Sequence, residues 1–259
     1  MILTLRVIYR GTCISVHLIS AYIISIIAPI LFGKHWHREN KGKKIVNWWV
    51  NRTSKIIGLD IHQQGRPPKS NTLIAANHIS FLDIVVIASV ADVTFLSKST
   101  LRFWPIIGFT AKRFGTIFIQ RNKGRTIKKI TDLIANTLTQ NRSMVIFPEG
   151  TTTTGEKIKK FHSGLFQAAI NTNTPVQPVA LSYIRDGKLD RTAAYIERDN
   201  FIISLIKIIS QDKTDVYITF LDTIESDTFN RMEIAKTCQN RISRQLSLKA
   251  KFWQADIVL

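Results

Sequence analysis

Between Gly11 and Gly33 the chain runs GTCISVHLISAYIISIIAPILFG, more than twenty residues with no Asp, Glu, Lys or Arg. A helix of about 20 apolar residues crosses a ~30 Å hydrocarbon core, so the run predicts a membrane-anchoring helix over about 11–33. Thr12, Ser15, His17, Ser20, Ser25 and Pro29 dilute its hydrophobicity and also suit a helix lying along one leaflet. Residues 45–59, IVNWWVNRTSKIIGL, predict an amphipathic helix in which Trp48 and Trp49 stand beside Arg52 and Lys55, a composition suited either to the headgroup layer or to packing on a core. The stretch DIHQQGRPPKSN from Asp60 to Asn71, with Gly65, Pro67 and Pro68, reads as a connection. The division that follows is an anchoring segment over 1–60 and a main domain over 61–259.

Beyond Asn71 short apolar runs alternate with helical patterns. TLIAAN precedes FLDIVVIASV, VTFLS precedes a helix around Pro105 to Phe114, and TIFIQ precedes one from Gly124 to Gln140. MVIFP is followed by a helix from Ser163 to Asn171, then VQPVALSY; FIISLIKIIS is too short to span a bilayer; DVYITFLD reads as a strand, and Phe229 to about Leu248 as a terminal helix. The alternation predicts an α/β fold, a central mixed or mostly parallel sheet flanked by helices. No internal repeat, phosphate-cradling Walker sequence or dinucleotide glycine fingerprint is present.

Charge adds a partner class. The 36 Lys and Arg against 18 Asp and Glu give +18 over 259 residues, a field that draws nucleic acid, anionic lipid or an acidic carrier. From Lys98 to Lys129 nine basic residues occur without an acid, interleaved with Phe103, Trp104, Phe109, Phe114 and Phe118. No nucleic-acid reader motif accompanies them, so anionic membrane lipids are the expected partner and nucleic acid is not. Lys34, Arg38, Lys41, Lys43 and Lys44 outweigh Arg6 and Arg10 on the other flank of the apolar run, which places the main domain on the cytoplasmic side of a membrane. Cys13 and Cys238 form no paired framework and no metal spacing.

Candidate chemistry sits at two strand ends. NHISFLD straddles the end of TLIAAN and the start of the next helix, where functional groups are commonly presented. On one continuous helix His78 and Asp83 would stand about 140° apart, so a strand-to-helix corner is needed to bring them together. There the imidazole can take a proton from a hydroxyl while the carboxylate fixes its tautomer and stabilises the cation. The second segment is VIFPEGTTTTG, whose Pro148 ends a strand and whose Gly150 and threonines make a loop able to donate hydrogen bonds to an anionic oxygen. Glu149 would repel such an anion unless it pairs with a base, for which Arg121 at the end of GTIFIQR is the candidate.

Four ordered blocks, NHISFLD, GTIFIQR, FPEGT and PVQPVAL, cover roughly Thr72 to Ser182 and together resemble the glycerophospholipid acyltransferase family, whose type members act on 1-acylglycerol-3-phosphate. The resemblance implies that His78 is the general base, that Asp83 orients it, and that Arg121, Glu149, Gly150 and Thr151 line the acceptor site. It implies acyl-CoA or acyl-carrier protein as co-substrate, no cofactor and no metal, and a lysophospholipid acceptor, first 1-acyl-sn-glycerol-3-phosphate yielding phosphatidic acid. One departure bears on the acceptor: phosphatidic-acid-forming relatives often carry a basic residue directly after FPEGT, where this chain has Thr152. FPEGTTTTG, FHSGLFQAA and PVQPVAL are also similar to lyso-ornithine-lipid relatives, the alternative acceptor class. A membrane-tethered nucleic-acid-binding protein is the distant alternative.

Overall fold

In the computed structural model, which describes residues 2–69, 71–104, 106–119, 126–196 and 199–255, eight strands form one mixed sheet. In chain order they are β1 (Leu59–Gln64), β2 (Leu73–Ala76), β3 (Val93–Lys98), β4 (Ile117–Ile119), β5 (Ser143–Ile146), β6 (Val176–Arg185), β7 (Lys188–Leu189) and β8 (Thr214–Phe220). The sheet order is β1-β8-β6-β2-β5-β3-β4, with β7 hairpinned onto β6. Strands β6, β2, β5, β3 and β4 are mutually parallel, whereas β8 runs antiparallel to β6 and carries β1 parallel to itself.

The central strands are apolar on both faces because helices cover both faces. β2 shows the division: Ile74 and Ala76 join the cluster around Leu82, Val86, Ile87 and Val179, while Leu73 and Ala75 join that around Ile134, Met144, Phe166 and Ile242. The first face is covered by α2 (Asn40–Ile57), α3 (Leu82–Val90) and α7 (Phe201–Ser210), the second by α5 (Thr126–Leu138), α6 (Gln167–Asn171) and α8 (Arg231–Ala255). The short α4 (Ile107–Arg113) follows β3.

The long N-terminal helix α1 (Ile2–Phe32) packs outside the first helical layer, against α2, α4 and α7. Its inward face is the small or polar series His17, Ala21, Ser25 and Ala28, all buried. Its outward face, including Leu5, Ile8, Val16, Ile19, Ile23, Ile27 and Ile30, is exposed. At its N-terminal end Arg6 and Arg10 donate to the carbonyls of Ile209, Ser210, Gln211 and Asp212, and Arg6 also pairs with the Asp212 carboxylate at 2.6 Å. Cations belong there, since the last carbonyls of α7 carry the negative end of its dipole.

Several boundaries differ from the sequence reading, α2 beginning at Asn40 and α8 running on to Ala255 among them, and two have a clear physical reason. α1 begins nine residues before Gly11, because Arg6 and Arg10 find acceptors on α7 and need not end the helix. The supposed connection after Leu59 opens as edge strand β1, paired in register with β8 from Leu59↔Thr214 to Gln64↔Thr219. Its polar composition is that of an exposed sheet edge; only Leu59 is buried. α2 ends at Ile57 on Gly58, whose φ of 88° lets its N–H reach the carbonyls of Ser54 and Lys55.

Candidate active site

The parallel strands β2 and β5 both end at the same edge of the sheet, the edge at which α/β folds present functional groups. Past the last paired residues, Ala76 and Val179, the Asn77 side chain imitates a peptide: its Nδ2 donates to the Leu181 carbonyl at 3.0 Å and its Oδ1 accepts from the Leu181 N–H at 2.8 Å. This locks the chain as it leaves the sheet. His78 follows directly, and the backbone turns through Ile79 to Phe81 into α3.

Asp83 lies in the first turn of α3 and is fully buried. Its Oδ2 accepts from His78 Nδ1 at 2.7 Å, from the Ile79 N–H at 2.7 Å and from the Ser80 N–H at 3.0 Å. Its Oδ1 accepts from the Tyr183 hydroxyl at 2.7 Å. The corner thus brings His78 and Asp83 together, as the sequence required. A carboxylate that accepts from two amides and a phenol is the ionised form, so His78 carries its hydrogen on Nδ1 and its lone pair on Nε2. The His78 side chain retains 20% exposure, so that lone pair faces outward from a buried support.

The loop after β5 fixes the other side of the imidazole. Phe147 stacks on His78 with centroids 4.0 Å apart and planes 16° from parallel. Glu149, 3% exposed, is held by two backbone amides, His78 N–H to Oε1 and Lys159 N–H to Oε2, each at 2.8 Å. Burial raises its pKa above the ordinary carboxylate value, and those two amides pull it back. Its carboxylate therefore ties the FPEGT loop to the His78–Asp83 corner; the Thr153 N–H adds a second hydrogen bond, to the His78 carbonyl at 2.9 Å.

Gly150 turns the loop at a φ of 72°, and a Cβ there would come within 3.3 Å of the His162 ring. Gly150 is exposed and Thr151 half-buried, following Glu149 in the same loop. Arg121, the fourth of the proposed acceptor-site residues, lies outside the described residues, as does the rest of GTIFIQR beyond Ile119.

No protein nucleophile competes with the dyad among the described residues near it. Ser80 is buried, and its Oγ has no hydrogen-bond partner to activate it. Cys238 is buried on α8, where desolvation pushes its thiol up to about 12. Phe147 and Tyr183 were not singled out from the sequence. Phe147 stood in plain view within VIFPEG; nothing marks a tyrosine in an apolar strand a hundred positions from Asp83.

A model of the acyltransferase family matches residues 58–182. The lyso-ornithine lipid O-acyltransferase of Pseudomonas aeruginosa is 36% identical over 200 residues, covering 77% of each chain. The 1-acyl-sn-glycerol-3-phosphate acyltransferase of Neisseria gonorrhoeae is 32% identical over 175 residues, covering 66% of this chain and 68% of that one. The crystal structure of the 1-acyl-sn-glycerophosphate acyltransferase PlsC from Thermotoga maritima shares the fold with a TM-score of 0.64 at 19% identity, over 93% of this chain and 98% of that one.

Proposed function

This chain belongs to the acyltransferase family, and from that premise we propose that it moves a fatty acyl group from acyl-CoA or acyl-carrier protein to the free hydroxyl of a lysolipid. The observation that carries the reading is the His78–Asp83 contact of 2.7 Å, with Nε2 left as the basic nitrogen. The acceptor hydroxyl gives its proton to Nε2 as its oxygen attacks the thioester carbonyl. The C–S bond then breaks, the new ester forms, and the proton passes from His78 to the departing thiolate. A thioester is already activated, so this route needs no acyl-enzyme. The chain itself supplies the base and its support; no metal or organic cofactor enters the steps.

Two acceptors fit this chemistry. The expected phosphate reading put 1-acyl-sn-glycerol-3-phosphate first, with Arg121, Glu149, Gly150 and Thr151 lining its site. Two observations favour a lyso-ornithine lipid instead: Thr152 replaces the basic residue that often follows FPEGT in phosphatidic-acid-forming relatives, and the Pseudomonas relative named for that lipid matches with higher identity and coverage. We therefore place the lyso-ornithine lipid ahead. Glu149, spent on two amides, is read as a support for the site and not as a ligand of the headgroup. Arg121 and the loop at Gly150 and Thr151 would hold the acceptor's anionic group.

The membrane is the natural place for such a substrate. α1 offers the attachment, its outward isoleucines entering the bilayer while the basic flank meets anionic headgroups from the cytoplasmic side. Because α1 packs along α7, α2 and α4 instead of standing clear of them, we read it as lying along one leaflet. The deciding experiment supplies purified full-length protein in mixed micelles with acyl-CoA or acyl-carrier protein and both lysolipids in competition, products being identified by mass spectrometry. Acylation of the lyso-ornithine lipid in preference supports the order given; exclusive phosphatidic acid restores the other, and no acyl transfer to any lysolipid overturns the reading.

A further inference from the structure

Asp83 is fully buried, and its two oxygens are used unequally. Oδ2 takes three donors, all from the His78–Ser80 corner, whereas the described donor to Oδ1 is the Tyr183 hydroxyl, delivered from β6 at 2.7 Å. Tyr183 is itself 1% exposed and lies in the core on β6, the strand between β2 and β8, on a strand face whose other core members, Val179 and Leu181, are aliphatic. A hydroxyl in that setting costs free energy unless it is hydrogen-bonded. It is not needed to fill volume, since Phe has the same shape. Its hydrogen has one described destination, the carboxylate that supports the base.

We propose that Tyr183 is a positioning residue for the acyl transfer, acting through Asp83 to set both the orientation and the basicity of His78. This rests on the reading of His78 and Asp83 as base and orienter. A donor on Oδ1 prevents the carboxylate from rotating about its Cβ–Cγ axis, which keeps Oδ2 aimed at Nδ1. It also shares the negative charge, so that less of it falls on the imidazole. Desolvation and the Asp83 charge hold the phenol pKa well above its ordinary value, so it donates throughout the working pH range. Among the described residues Glu149, from the loop after β5 and itself fixed by two amides, also faces the pair.

The test is Tyr183→Phe in the full-length, detergent-solubilised protein. With the phenol gone, the undiluted charge of Asp83 holds a proton on the imidazole more firmly, so the acid limb of the kcat/KM profile is expected to move to higher pH. The looser carboxylate lowers the plateau kcat about tenfold, in the range of one charge-assisted hydrogen bond, with KM for either substrate unchanged within about twofold. In an Asp83→Asn background the same substitution should have almost no effect, because its target has gone. An unmoved acid limb, or an equal loss in both backgrounds, overturns the proposal. If Tyr183→Phe unfolds, Tyr183→Trp and Tyr183→Leu serve; thermal unfolding identifies which variants are folded, and a folded variant with wild-type kinetics also overturns it. The Nδ1–H proton resonance of His78, read without substrate, is expected to move downfield in Tyr183→Phe. Since that readout needs no turnover, a failure of the acyl-transfer reading and a failure of the role of Tyr183 are told apart.

Discussion

The rings of His17, midway along α1, and Trp49 of α2 lie face to face, with centroids 4.5 Å apart and planes 2° from parallel. Each also bonds the other's backbone: Trp49 Nε1 donates to the His17 carbonyl at 3.1 Å, and His17 Nε2 lies 3.0 Å from the Trp49 carbonyl, to which it donates. Read from sequence, His17 diluted an apolar run and Trp49 suited either a headgroup layer or packing on a core. In the structure the two close a clasp between helices. His17→Ala or Trp49→Ala removes the stack and the one bond that the replaced side chain donates, the backbone carbonyl staying in place, so each is expected to lower stability by about 1–3 kcal/mol. Thermal unfolding in detergent checks this, and the double variant, which loses both bonds but the stack only once, should fall short of the sum of the two single losses.

The clasp bears on membrane topology. α1 has 31 residues, about 46 Å at 1.5 Å per residue, enough to cross a bilayer. Arg6 and Arg10 nevertheless hold its first turns on the end of α7, and Ala21, Ser25 and Ala28 stay buried further along. In a Cys13→Ser, Cys238→Ala background, single cysteines placed at Thr4 and at Lys34 are expected to react with an impermeant maleimide from the same side of sealed vesicles. A cysteine at Thr4 that reacts only from the opposite side would restore a spanning helix. Replacing Ile23, Ile27 and Ile30 by Asp should release the protein from vesicles without loss of folding, since all three are exposed.

How much could be read in advance follows from where each signal lies. Alternation of apolar runs and helical patterns marked β2, β3, β5, β6 and β8, because strands buried on both faces must be apolar. β1 escaped notice, because its pairing to β8 demands nothing of its outward side chains; His62 and Asp60 read as loop residues. The His78–Asp83 corner was legible because both partners sit within six residues. The role of Glu149 was not, since a carboxylate spent on the N–H groups of His78 and Lys159 leaves no pattern in side-chain identities. Tyr183 is the extreme case, a contact made by sheet order alone.

A pH dependence of folding follows from His37. Burial, reinforced by Arg142 and Arg38, lowers its pKa from 6.5 to about 4. Between those values the unfolded chain binds the proton more readily than the native one, so stability rises with pH there. The contribution is whole above about 6.5 and is lost as pH falls through about 4. His37→Gln is therefore expected to flatten the fall in melting temperature between pH 6.5 and 4; an unchanged slope would show that His37 is not the group responsible.

Glu149 offers a test of loop anchoring. The amide of Glu149→Gln can accept from only one of the His78 and Lys159 N–H groups and turns a donor toward the other. A buried donor left without an acceptor costs about 1–3 kcal/mol. Activity should fall more steeply than stability, because the His78 backbone is one of the two groups released. Equal turnover in Glu149→Gln and the parent protein, at equal folded fraction, would separate the FPEGT loop from the positioning of His78.

The proposed base, His78, gives the sharpest expectation. His78 Nε2 is the lone-pair nitrogen only because Asp83 holds the hydrogen on Nδ1. His78→Ala should lower kcat by about 10² to 10⁴, the range of general-base catalysis, while donor binding stays nearly unchanged, because proton transfer belongs to the transition state. Asp83→Asn should be severely impaired as well. A neutral amide does not stabilise the imidazolium, and where its nitrogen takes the Oδ2 position it enforces the wrong tautomer and opposes the Ile79 and Ser80 N–H groups. Since the two act as one unit, the double variant should be little worse than the worse single one. Arg121→Ala should behave differently, raising the acceptor KM more than the donor KM if that guanidinium holds the anionic group. Donor supplied without acceptor should leave no acyl group on the protein, as direct attack requires. An acyl adduct on Ser80, found by mass spectrometry of the intact chain, would replace this mechanism with a two-step one.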